Sequence, residues 1–180
     1  MSVPEATALR KKWCPLSIAW TLVRLIRRAQ GLYLFTCTHR EKGQEMPTKM
    51  FVNFPVHDLK QSMEFFAKLG FTFNPQFTDD TAACMVVGED SYVMLLTHDK
   101  FKIFTPKALC DAATSTEVLV ALSAESRANV DDMVRKAVAA GGTTYSAPQD
   151  HGFMYGHGFQ DLDGHIWEVF YMDPSAIHQG

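Results

Sequence analysis

The sequence predicts an α+β fold built from two tandem β-α-β-β-β modules, and three observations predict it. Strand-like and helix-like segments alternate between recognisable caps and turns. Their order then repeats: Leu69-Gly70-Phe71 aligns with Ala140-Gly141-Gly142, an offset of about 71 residues, which is the signature of an internal duplication. Finally, 180 residues with 47% hydrophobic and 21% charged side chains suffice for one sizeable core and no more.

The first strand is Phe51-Val52-Asn53-Phe54-Pro55-Val56, rich in aromatic and β-branched residues. Asp58 follows as a helix N-cap with Gln61 at the capping-box position. The helix carries an apolar stripe at Leu59, Met63, Phe66 and Leu69, and Gly70 ends it with the left-handed residue that glycine adopts most readily. Strands are expected at 71–77, 82–87 and 92–97. A connector over 101–113, in which Thr105-Pro106 opens a short helix, leads to the second module. There the expected elements are a strand at 117–123, a helix at 127–140 capped by Ser126, and strands at 143–146, 153–159 and 165–171. Asp163-Gly164 is a strong turn dipeptide before the last strand. The modules span about 49–97 and about 116–173.

Net charge is -3, too little positive charge for a nucleic-acid backbone partner. That value is an average over two unlike pieces. Residues 1–46 carry eight Lys/Arg against three Asp/Glu, a balance of +5, and residues 47–180 carry nine against seventeen, a balance of -8. The expectation is a basic N-terminal extension, 1–46, outside the fold, with Met46 or Met50 as the natural start, and a single domain over 47–180. The apolar run from Leu16 to Phe35 is broken by Arg24, Arg27 and Arg28, which argues against integral membrane insertion; as a helix it presents a basic face suited to an anionic membrane surface. Cys14, Cys37, Cys84 and Cys110 form no C-x-x-C pair, so no zinc or disulfide framework is expected and a reducing cytoplasm is the default.

The duplicated order resembles the vicinal-oxygen-chelate superfamily, the glyoxalase, bleomycin-resistance and dioxygenase proteins, and within it small bacterial lactoylglutathione-lyase-like members. The resemblance rests on Val56-x-Asp58-Leu59-x-x-Ser62, on Phe65-Phe66-x-x-Leu69-Gly70-Phe71 and on Asp161-x-Asp163-Gly164-His165-x-x-Glu168, and it covers residues 49–173. It implies a curved mixed sheet around a cleft, a homodimer, and in metal-using members a divalent ion (Ni, Zn, Mn or Fe) held by side chains on the first and last strand of each module.

Carried over, those positions in module one are Phe51 and either Met94 or Leu95, none of which suits such an ion. In module two they are Glu117, with Leu119 as the alternative register, and Glu168. His151 and His157, in a loop with three glycines, are candidates to complete the set. His165 reads as a turn or cross-strand residue, and Cys84, in an apolar run, as an inert thiol. With a metal bound, the family chemistry is a glyoxalase-like lyase or isomerase reaction on a substrate with adjacent oxygens, with Glu168 as base or ligand. Dioxygenase chemistry is disfavoured because the strand histidines are absent. The alternative is a non-catalytic protein that binds or sequesters a small molecule, with Phe51, Phe54, Phe153, Tyr155 and Trp167 as aromatic walls and Asn53 as a polar contact. A third reading is a structural homodimer with a vestigial cleft.

Overall fold

A computed structural model describes residues 48–176. The expectations for 1–46 therefore lie outside the described residues. Module one consists of β1 (Met50–Val56), α1 (Leu59–Leu69), β2 (Thr72–Asn74), β3 (Ala82–Val86) and β4 (Ser91–Thr97). A short helix α2 (His98–Lys102) and a connector lead to β5 (Leu119–Ser123), α3 (Arg127–Ala139), β6 (Gln149–Asp150), β7 (Met154–Gln160) and β8 (Ile166–Met172). The two four-stranded sheets share one topology, β1-β4-β3-β2 and β5-β8-β7-β6, and in each the first strand runs parallel to the last.

Local chemistry sets the boundaries. The Asp58 carboxylate accepts from the Gln61 backbone N–H at 2.9 Å and from its side-chain amide at 2.9 Å, and Gly70 closes α1 at φ 105°. Ser126 caps α3 by accepting from Asn129 N at 3.2 Å. Three expectations are corrected. The strand at 71–77 stops at Asn74, because Pro75 lacks an N–H and starts a 3₁₀ turn over Pro75–Phe77. The short connector helix starts at His98, with Thr97 as its cap, and not at Thr105-Pro106. The strand at 143–146 reduces to one bridge between Thr143 and Gln160; pairing resumes only at Gln149, after Pro148.

Alternation along the strands sorts side chains to two faces. Val93 and Leu95 on β4, and Trp167 and Val169 on β8, point to the helices and are buried. One core serves both modules: Phe65 and Phe66 of α1 stand 6.2 Å from Phe159 and 5.0 Å from Trp167, ring centre to ring centre. Phe65, absent from the expected stripe, is among the most buried residues of α1.

The turn over 161–165 bolts the modules together. Asp163 accepts from the His57 backbone N–H and lies against His57 Nδ1, both at 2.9 Å, and Ser62 Oγ donates to it at 3.3 Å. His165, 2% exposed, sets Nε2 2.8 Å from the Pro55 carbonyl and Nδ1 2.5 Å from Glu117. Asp161 accepts from Trp167 Nε1 and from the backbone of Asp163 and His165. Burial raises the pKa of its carboxyl despite these donors. Among the described residues no helix is long and apolar enough to cross a membrane.

Candidate functional site

Strand pairing fixes which positions of the two modules correspond. Asn53 sits beside Met94 in module one and Ala121 beside Glu168 in module two, so Met94 and Glu168 are equivalent, as are Phe51 and Leu119. This resolves the open registers. Met94, not Leu95, occupies the module-one site, since Leu95 is buried in the core; Leu119, not Glu117, occupies the first-strand position of module two. Glu117 precedes β5 and is engaged with His165.

Glu168 projects from the helix-free face of the second sheet into a cavity of about 260 Å³. Gly156 and Gly158 of β7 pair with Phe170 and Glu168 and form its floor. The chain after Thr143 passes over the rim and lays Tyr145 on Gly158, where a Cβ would collide with the phenol ring. The Tyr145 hydroxyl thereby faces Glu168. Burial first, and then that carboxylate, raise the phenol's pKa. Gly156 has open space above it, because a Cβ there meets nothing closer than 3.8 Å. Gln149, Met154 and Phe170 complete the walls, so Glu168 is the sole carboxylate among the lining residues.

The other expected site residues do not converge there. Trp167 is fully buried in the core, held by its N–H to Asp161, and cannot wall a cleft. Tyr155 lies on the helix side; its hydroxyl donates to Asp131 at 2.8 Å and Arg127 covers its ring at 5.2 Å. His157 pairs with Val169, so its side chain leaves the sheet opposite to Glu168, although the residue borders the cavity. His151 is exposed in the turn between β6 and β7. Phe51 and Asn53 lie on the helix-free face of the first sheet, where Phe51 stacks on Tyr92 at 4.8 Å. Phe54 is buried, and Phe153 is exposed in the turn just before β7. Cys84 is fully buried, and burial raises its thiol pKa.

This donor set does not fit the family's ion. Phe51, Met94 and Leu119 offer no suitable donor beside Glu168, and among the described residues no three His, Cys, Asp or Glu side chains converge to hold a metal. Sequence reasoning missed Tyr145, Gln149 and Phe170 as walls. The available signal was the Gly156-x-Gly158 alternation, which clears one face of a strand. It also missed the turn's role as a bolt, legible in the run of polar side chains ahead of an apolar strand.

Residues 48–88 match the family model described as bleomycin resistance protein-like N-terminal. Among solved structures, hypothetical protein SA1046 from S. aureus is 31% identical with a TM-score of 0.61, over 71% of this chain and 96% of that one. A glyoxalase/bleomycin resistance protein/dioxygenase from Nocardioides is 26% identical with a TM-score of 0.55, over 71% and 85%. A glyoxalase/bleomycin resistance protein/dioxygenase family enzyme from Burkholderia phytofirmans PsJN, 17% identical with a TM-score of 0.58 over 68% and 96%, shares the fold. No curated protein matches the chain. With two sheets of one topology, a turn that joins them and these relatives, the chain belongs to the vicinal-oxygen-chelate superfamily of glyoxalase, bleomycin-resistance and dioxygenase proteins.

Proposed function

We propose that this chain is a small-molecule binding protein of the bleomycin-resistance type, whose ligand lies over Gly156 with a cationic or N–H-bearing group on Glu168. The observation that supports it is a single carboxylate in an otherwise neutral pocket walled by Tyr145, Phe170, Met154 and Gln149. A carboxylate there accepts a charge-assisted hydrogen bond, and flanking aromatic faces favour a flat, electron-poor partner. The volume, about 260 Å³, matches a small ligand or one ring system of a larger one. The metal-dependent lyase or isomerase reading draws on the same Glu168 but needs further donors at positions now held by Phe51, Met94 and Leu119. A homodimer belongs to the proposal. Phe51 and Leu119, at equivalent places on the first strand of each sheet, are 48% and 53% exposed, which is apolar surface that a second copy would cover.

The test is a panel of flat aromatic molecules, cationic and neutral, titrated into the protein with tyrosine fluorescence or NMR as readout. Cationic members bind preferentially, and Glu168→Gln weakens them about 10–100-fold, the value of a hydrogen bond to a charged group. Equal binding of both classes, or an unchanged Glu168→Gln, overturns the reading. Light scattering on eluted peaks reports the dimer.

A further inference from the structure

A second cavity, of about 350 Å³, opens where the C-terminal end of β1, the start of α2 and the turn at 163–165 meet. It shares no lining residue with the Glu168 pocket. Three imidazoles border it. His165 is used on both nitrogens, by Glu117 and by the Pro55 carbonyl. His57 and His98 are differently placed: their ring centres stand 4.3 Å apart at an interplanar angle of 56°.

Asp163 orients the first of them. Its Oδ1 lies 2.9 Å from His57 Nδ1, and as an ionised carboxylate it is an acceptor only, so the hydrogen-bond network assigns the proton to Nδ1 and leaves the Nε2 lone pair for a ligand. The carboxylate is itself fixed, its side chain 8% exposed and held by the His57 backbone and Ser62, while the His57 side chain is 78% exposed. A carboxylate behind an imidazole is the arrangement that orients histidine ligands and raises their basicity. Burial first, and then the neighbouring His57, lower the pKa of His98, which favours the neutral ring that a metal requires.

We propose that His57 and His98 form a two-imidazole site for a late first-row divalent cation, nickel or copper, with Asp163 orienting His57 and water completing the coordination shell. An imidazole nitrogen about 2.0–2.1 Å from such an ion puts each ring centre roughly 3.2 Å from it, so two rings at a right angle stand about 4.5 Å apart. That is close to the 4.3 Å present. Imidazole donors and the Irving–Williams order favour nickel or copper among the late divalent ions. Because no third side chain converges among the described residues, the ion exchanges readily and serves as a clasp. It ties the end of β1 and the start of α2 to a carboxylate that belongs to module two.

The experiment is calorimetric titration of the full chain with Ni²⁺, with thermal unfolding alongside and electron paramagnetic resonance of the Cu²⁺ form. Wild type takes up one equivalent, its melting temperature rises, and the copper spectrum shows splitting from two nitrogens. His57→Ala and His98→Ala each weaken binding at least tenfold. Asp163→Asn weakens it about 10–100-fold, the usual cost of losing an outer-shell partner. Glu168→Gln, His151→Ala and His157→Ala bind as wild type. Retained binding in both His57→Ala and His98→Ala overturns the proposal. Loss in Glu168→Gln would put the ion in the family cleft and overturn this proposal together with the metal-free reading of that pocket. His57 is exposed, so its variant keeps the fold and the test remains decisive even where Asp163→Asn unfolds.

Discussion

The helix-free faces of the two sheets differ where their backbones agree. Ala82, Cys84, Met94 and Leu96 in module one stand where Gly156, Gly158, Glu168 and Phe170 stand in module two. Ala82, Cys84 and Leu96 are buried; their counterparts floor an open cavity. With glycine at both positions of β7, the second sheet carries a carboxylate that faces an open cavity. A duplicated backbone thus keeps its pairing while one half fills its face and the other leaves it open for a ligand. The register that holds the sheet together is indifferent to which outcome a face adopts.

Four substitutions, taken with Glu168→Gln above, probe this asymmetry, the largest effect first. Trp167 and Val93 occupy equivalent core positions, but Trp167 joins Phe54, Phe66 and Phe159 across the modules. Trp167→Ala is expected to cost about 3–5 kcal/mol in urea unfolding and Val93→Ala clearly less, since far less volume is removed. Equal losses would mean that the modules are not joined through Trp167. Next, Gly158→Ala drives Tyr145 off the sheet and weakens ligand binding about tenfold, with a stability change below about 1 kcal/mol because the displaced ring is already part-exposed. Fluorescence titration and melting curves read the two separately, and an unchanged affinity would remove Tyr145 from the site. The smallest effect belongs to His98, which faces His57, Asp163, Asp99 and Lys102. Folding lowers its proton affinity, so the stability it contributes is fully present above the ordinary histidine value of about 6.5 and is lost as pH falls below it. In His98→Asn the fall of the urea midpoint between pH 7.5 and 5.5 should be shallower.

Much of the fold was legible because its signals are local. Asp58, Gly70, Ser126 and the period of the strands act within a few residues, and the repeat doubled each of them. The failures have specific causes. Pro75 and Pro148 remove one donor each and shortened or displaced a strand that hydrophobicity alone predicts. The site was legible at Glu168 because a turn motif fixes its place on β8. Its partners were not. Tyr145 reaches the pocket from an irregular segment without periodicity, and Trp167 and Tyr155 were assigned to a cleft because aromatic content says nothing about which face of a strand a ring leaves. His165 shows the same limit from the other side: a histidine after a turn glycine reads as a turn or cross-strand residue, and only the fold brings Pro55, 110 residues away, to its ring.

The bolt at 161–165 also governs the order in which the molecule can be made. Its bonds to His57, Ser62 and Pro55 join residues 101 to 110 positions apart, and the Trp167 ring that seals Phe54 and Phe66 is made within a few residues of them. On the ribosome, module one therefore emerges with its apolar face uncovered and stays so until the turn at 161–165 has been synthesised. A chain that ends before Asp161 is therefore expected to leave the apolar face of module one uncovered, the condition that invites chaperone binding and proteolysis.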